Sequence, residues 1–259
     1  MDMQIEKTWV EVSAYAVQKN IATLRSFLRH PTKFFAVVKS NAYGHDLILF
    51  SKIANAEHVD GFCVDSIEEG ITLRVHGIQK PILVMGATLP ELWPRAKQHN
   101  LTLTLSDITM FKKFIKRGRG ISFHIKIDTG MHRQGFYVAQ IPFVLRALLH
   151  SPVQRVCHGM YTRFAAESDP STASYTLQQI QVFESARALF QKNGFSHILF
   201  HASGTGGIAL YHEAHYDMVR AGIGLYGYWP SQKIGISHES RKGCLVKLRP
   251  ALSWYTRVS

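Results

Sequence analysis

The chain has few cysteines: Cys63, Cys157 and Cys244 in 259 residues, widely spaced and without a CxxC pair. An odd number at such separations suits neither a disulfide framework nor a thiolate zinc site, so they read as packing residues. No apolar run reaches the length that spans a bilayer, which excludes a membrane partner of that kind. The first residues, MDMQIEKTWVEV, are charged and lack an apolar core with a small-residue cleavage site. A secretory leader is therefore not expected, and the cytoplasm is the expected location. The histidines show neither HExxH nor HxH spacing, so no metal is expected.

Acidic residues are also scarce, 18 against 30 basic ones, for a formal net charge of +12. Such an excess suits nucleic acid, anionic phosphate ligands or plain solubility. The positive charge is dispersed, and KKFIKRGR at 112–119 is the only dense run. It reads as the solvated end of a helix, so no nucleic-acid partner is expected; a basic nucleic-acid-binding barrel would betray itself by binding that falls steeply with salt.

What is present is a globular composition, 46% hydrophobic and 19% charged. Short β-type runs alternate with helical ones. The strands expected are FFAVVK (34–39), GFCV (61–64), PILVMG (81–86), LTLTL (101–105), ISFHIKID (121–128), VQRVCHGMY (153–161), HILFHA (197–202) and DMVRAGIGLYG (217–227). Helical patterns fill the gaps, one opened by the N-cap candidate Ser66 and the longest closed by Gly194. Eight strands with helices between them predict a closed (β/α)8 barrel, a TIM barrel, over about 13–235. An amphipathic helix at about 13–28 is expected to cover one end. TWVEV (8–12) and LVKLRPALSWYTRVS (245–259) lie outside the alternation, and 1–12 with 240–259 are expected to be strands of an incomplete β domain.

The first strand raises the question of chemistry, because its apolar run ends at Lys39. A lysine there is either a snorkelling or ion-paired side chain, or a partly desolvated amine able to form a Schiff base with an aldehyde. In such barrels the carboxyl ends of the strands carry the active site. Lys39, Lys126, Asp128, Arg133, Tyr161, Arg163 and Arg220 all fall on that rim. SGTGG at 203–207 and AGIGLYG at 221–227 follow the last two strands, where N–H groups and a hydroxyl suit a phosphate. His201 reads as a satisfied core histidine, and Tyr43 and Tyr226 as rim residues that are either packing or functional.

AVVKSNAYGH, KIDTGMHRQGF and HYDMVRAGIGLYG, in this order and at these separations, resemble the signatures of bacterial alanine racemases. The resemblance implies pyridoxal 5'-phosphate as cofactor and interconversion of L- and D-alanine for peptidoglycan precursors. It implies that Lys39 holds the cofactor and acts as base or acid on one face of the substrate, while Tyr43, Thr205 and the backbone at Gly222 and Ile223 hold the phosphate. Arg220 would face the pyridine nitrogen. Arg133 would serve the cofactor's phenolic oxygen and the substrate carboxylate, oriented by Lys126, a position carbamylated in some members.

Two departures stand out. Arg163, a permanent cation within the cofactor site, replaces a histidine, and Gly204-Thr205 replaces an Asn-Ser pair. The resemblance also implies a homodimer at full length, with an opposite-face tyrosine from a C-terminal domain that this sequence does not reach. The alternative reading is a non-catalytic barrel that carries pyridoxal phosphate.

Overall fold

The structure, a computed structural model, describes residues 7–29, 31–234 and 246–258. After β1 (Thr8–Val12) and α1 (Ala14–Arg25) come β2 (Lys33–Val37), the short turn α2 (Lys39–Gly44), α3 (Leu47–Ala56), β3 (Gly61–Val64), α4 (Ile67–Val75) and β4 (Ile82–Val84). The middle of the chain forms α5 (Trp93–Gln98), β5 (Leu103–Leu105), α6 (Ile108–Arg117), β6 (Phe123–Asp128), β7 (Phe136–Tyr137) and α7 (Ile141–Leu149). It ends with β8 (Cys157–Tyr161), α8 (Ala173–Lys192), β9 (Leu199–His201), α9 (Thr205–Leu210), β10 (Met218–Ala221) and β11 (Leu252–Thr256).

The eight predicted strands pair in parallel in the order β4-β3-β2-β10-β9-β8-β6-β5. The ring closes through the bridge Leu83↔Thr102, where Thr102 N–H donates to Ile82 O at 2.9 Å and Val84 N–H donates to Thr102 O at 2.8 Å. The (β/α)8 barrel is therefore the fold.

β2 is apolar along its length because both its faces are covered. Phe35 and Val37 join Cys63, Leu83 and Met218 inside the barrel, whereas Phe34, Ala36 and Val38 pack into the larger core under the helices. Gly61 makes room for Phe35, since a Cβ there would lie 2.4 Å from its ring.

Several boundaries differ from the sequence reading. Pro152–Val156 is a 3-10 turn capped by Ser151, and β8 begins only at Cys157; Pro152 has no N–H to give a ladder. Ile223–Tyr226 is likewise a 3-10 turn, and β10 ends at Ala221. The two-residue strand β7 had no alternating pattern long enough to show in the sequence. Lys39 lies just beyond β2.

α1 packs beside α3 and α9 and against the 223–226 turn, so it stands in the helical layer and does not cover an end. Its Asn20 amide donates to Leu225 O at 3.1 Å and Arg249 O at 2.7 Å. Outside the barrel, β1 and β11 form a two-stranded antiparallel sheet with Val10 opposite Trp254.

The 112–119 run lies on α6 and the turn after it, where Phe111 and Phe114 are buried. Cys63 and Cys157 are buried thiols, each pushed up to about 12 by burial, as packing residues would be. Cys244 and the expected strand residues 1–6, 240–245 and 259 lie outside the described residues. Among those described, no helix is long and apolar enough to cross a membrane.

Candidate active site

The rim begins with an unusual backbone. Ser40, Asn41, Ala42 and Tyr43 all have φ between 52 and 55°, so α2 is a left-handed turn made of non-glycine residues. That conformation is unfavourable by about 1–2 kcal/mol per residue and persists only where its surroundings over-determine it. Here they do. The Asn41 side chain accepts from Leu47 N–H at 2.8 Å, Asn41 N–H donates to Glu69 Oε1 at 3.2 Å, and Ala42 is wholly buried. Glu69 Oε2 also takes the Asp65 N–H at 2.8 Å, so one carboxylate ties the turn to the loop after β3.

The turn brings Lys39 and Tyr43 to one cleft. Lys39 Nζ lies 3.4 Å from Asp65 Oδ1, and its side chain is 37% exposed. It is more open than the apolar strand before it suggests, because β2 ends two residues earlier and the side chain leaves the barrel mouth.

Asp128, at the end of β6, accepts the N–H groups of Gly130, Met131 and His132 through Oδ1 at 2.9, 2.9 and 3.1 Å. This fixes the loop that delivers Arg133 to the cleft. Lys126 is buried, and its ammonium is lowered to about 8, first by burial and then by Arg133 and Arg220. An ammonium repels the guanidinium that the resemblance has it orient. A carbamate on Nζ would reverse that sign.

Arg220 lies under the cleft at only 4% exposure. Its NH2 donates to Thr162 O at 2.7 Å and Ala202 O at 2.9 Å, and its NH1 donates to His201 Nδ1. His201 Nε2 in turn lies 2.8 Å from His124 Nδ1. An arginine has no acceptor, so His201 Nδ1 must accept, its Nε2 must carry the proton, and His124 Nδ1 must accept it. Tyr161 stacks on His201 at 4.7 Å, with the Arg220 guanidinium 4.8 Å from its ring and its hydroxyl 3.1 Å from Thr104 Oγ1. Gly159 makes this possible, since a Cβ there would sit 2.6 Å from the His124 ring.

Both imidazoles are therefore neutral. Burial lowers His124 to about 3 and His201 well below its usual value, with Arg220 adding to both shifts. An unfolded imidazole titrates near 6.5, so at acid pH the unfolded chain binds a proton that folded His124 refuses. Stability is then full above pH 6.5 and falls as the pH drops. His124 alone should remove about 2 kcal/mol between pH 7 and pH 5. Urea unfolding at both pH values, with the imidazole resonances followed by NMR, checks this; a His124 signal that titrates near 6.5 would contradict it.

At the other end of the cleft, Thr205 Oγ1 accepts the N–H groups of Gly222 and Gly224, each at 3.2 Å. A Cβ on Gly222 would lie 3.2 Å from the Tyr43 hydroxyl, so the turn after β10, the Thr205 hydroxyl and Tyr43 enclose a small polar corner. The N–H groups of 203–207 are used differently than the sequence suggests. Those of Gly204 and Gly207 go to Glu167 Oε2 at 3.1 and 3.2 Å. Tyr226, by contrast, is core: its hydroxyl donates to Val37 O at 2.9 Å and its ring packs on Phe50.

Lys39, Tyr43, Arg133, Arg163, Thr205, Arg220, Gly222 and Ile223 all line one cavity of about 610 Å³. Lys126 and Asp65 line it too, so five cationic side chains face one carboxylate. The sequence reading missed Asp65, Glu69, Glu167 and His124. Of these, Glu69 alone carried a signal, as the residue three beyond the N-cap Ser66.

Fold and site together define a barrel with a cationic cleft at the carboxyl ends of its strands, suited to an anionic ligand, with a primary amine beside it. The chain belongs to the alanine racemase family: the description "Alanine racemase, N-terminal domain" matches residues 12–230. It is 35% identical to an alanine racemase of Symbiobacterium thermophilum, over all of this chain and 67% of that one. It is 34% identical to alanine racemase 2 of Bacillus subtilis, over 98% of this chain and 64% of that protein. The structure of an alanine racemase from Clostridium difficile superposes with a TM-score of 0.88 at 27% identity, over 98% of this chain and 69% of that one. The chain thus spans about two thirds of the length of these relatives.

Proposed function

We propose that the protein is a pyridoxal-phosphate-dependent alanine racemase that supplies D-alanine for peptidoglycan precursors in the cytoplasm and works as a homodimer. The observation that carries this reading is the single cavity in which Lys39 stands beside four further cations and a corner built by Thr205, Gly222 and Tyr43. That donor set fits the cofactor. An aldehyde needs a primary amine, a phosphate dianion needs cations and N–H or O–H donors, and Gly222 leaves room for close approach.

When bound, pyridoxal phosphate delocalises the electrons left at the α-carbon after its proton is removed. We assign Lys39 to hold the cofactor and to move that proton on one face. Asp65 keeps the Lys39 amine at the cleft wall. Tyr43, Thr205, Gly222 and Ile223 take the phosphate, and Arg163 adds charge there. Arg133 binds the substrate carboxylate.

Arg220 is assigned to the ring nitrogen. It is held by Thr162 O, Ala202 O and the neutral His201, and cannot accept a proton. A ring nitrogen placed there would receive a hydrogen bond from Arg220 and no proton, and a cofactor held that way would supply weaker electron withdrawal than one facing a carboxylic acid. The two-stranded sheet β1-β11 we assign to a β unit distinct from the barrel.

The test is D-alanine in deuterated water with the cofactor-loaded chain, read by NMR. Loss of the α-proton signal is expected. Cofactor binding without any exchange would overturn the racemase reading and favour a carrier.

A further inference from the structure

The two departures noted in the sequence, Arg163 and Gly204, meet in space. A Cβ at Gly204 would lie 1.8 Å from Arg163 NH1 and 2.6 Å from Glu167 Oε1. No side chain at 204 is compatible with the guanidinium where it stands. The third member is Glu167, only 2% exposed, whose Oε1 is 2.8 Å from Arg163 NH1 and whose Oε2 takes the N–H groups of Gly204 and Gly207. Gly207 is needed as well, since a Cβ there would sit 2.8 Å from Glu167 Oε2. Gln179 holds the backbone of the same loop, its amide oxygen accepting Ala165 N–H at 2.8 Å.

We propose that Arg163, Glu167 and Gly204 form one coupled device, a tethered guanidinium that ligates the phosphate of the cofactor; this rests on the pyridoxal-phosphate reading above. Arg163 is the binding group. Glu167 and Gly204 are positioning residues, one by charge and one by leaving space.

Three observations support it. The Arg163 side chain is 40% exposed and lines the cleft, while Glu167 is buried behind it. The ion pair with Glu167 is made through NH1, and among the described residues no other partner takes the guanidinium, so its remaining donors are free for an anion. Its NH1 adjoins residue 204, next to Thr205, whose hydroxyl meets Gly222 and Gly224. The opposing view, that Arg163 only neutralises a buried carboxylate, needs no exposed guanidinium in the cleft.

The test compares the dissociation constants of pyridoxal 5'-phosphate and pyridoxal, by absorbance titration of the full chain. Arg163→Ala should reduce the preference for the phosphorylated form roughly 10- to 100-fold, the range for a lost charge-assisted hydrogen bond, while pyridoxal binding stays the same. Arg163→Lys should recover part of the preference. Glu167→Gln should shift it in the same direction as Arg163→Ala, by less. Gly204→Ala should match Arg163→Ala and add nothing further when the two are combined.

An unchanged ratio in Arg163→Ala, with pyridoxal 5'-phosphate still bound, would overturn the proposal and leave the cofactor reading intact. So would a Gly204→Ala effect of the same size in both backgrounds. Where Arg163→Ala fails to fold because Glu167 is left unpaired, Arg163→Ala with Glu167→Gln removes that charge and gives the same readout. A parent chain that binds neither form would overturn both readings.

Discussion

A Lys39→Ala chain should give no cofactor-linked absorbance that borohydride can fix to the protein, and its α-proton exchange with D-alanine should fall at least about 10³-fold. The size follows from removing both the proposed covalent anchor and the proposed proton carrier on one face, since general acid–base groups alone contribute about 10² to 10⁴. Stability should scarcely change. The Lys39–Asp65 contact is 3.4 Å between side chains 37% and 55% exposed, and such pairs are worth under about 1 kcal/mol. Loss of function at unchanged urea midpoint is therefore the expected pattern. A reducible band that survives in Lys39→Ala would assign the anchor to another amine, Lys126 being the other lysine that lines the cavity.

Arg220→Met has the opposite character. The side chain is a buried cation at the floor of the cleft that serves three acceptors at once: Thr162 O, Ala202 O and His201 Nδ1. Methionine fills the volume but leaves two carbonyls and a neutral imidazole without a donor, and each buried acceptor left unsatisfied costs about 1–3 kcal/mol. The His201–His124 pair loses the donor that sets its proton order. Urea unfolding should show the loss without any cofactor present, and racemisation should fall with it. A change under about 1 kcal/mol would mean that water replaces Arg220 and that the network is not structural. Lys39 is thus expected to carry chemistry and little stability, whereas Arg220 is expected to carry both.

Most of the barrel was legible because its determinants are local. β2 and β3 are buried on both faces, and both stood out as short apolar runs bounded by turn residues. The strand ends were less legible. The carboxyl end of β10 is followed by a 3-10 turn of apolar residues that reads like more strand, and only the Gly222 and Gly224 contacts with Thr205 decide otherwise. α1 looked able to cap an end. Its place in the helical layer depends on Asn20 reaching Leu225 and Arg249 more than 200 positions away.

The site divides in the same way. Lys39, Tyr43, Arg133, Thr205 and Arg220 stand at predicted strand ends, and the barrel collects strand ends at one mouth whatever the loops do. Glu167 gave no signal. It is one acid in a polar stretch, and its value comes from Gly204 and Gly207, some 40 residues on. Nor did the left-handed turn at Ser40–Tyr43, which holds only because Glu69 and Leu47 anchor Asn41.

The sequence by itself determined the barrel, the rim and the types of residue on it, because periodicity and turn chemistry act over a few neighbouring residues. Only the tertiary structure decided which charges meet: that Lys39 pairs with Asp65, that Arg163 and Gly204 form one unit with Glu167, and that two histidines 77 positions apart share a proton beneath Arg220. Desolvation and Coulomb forces depend on distance in space, and distance along the chain does not encode them.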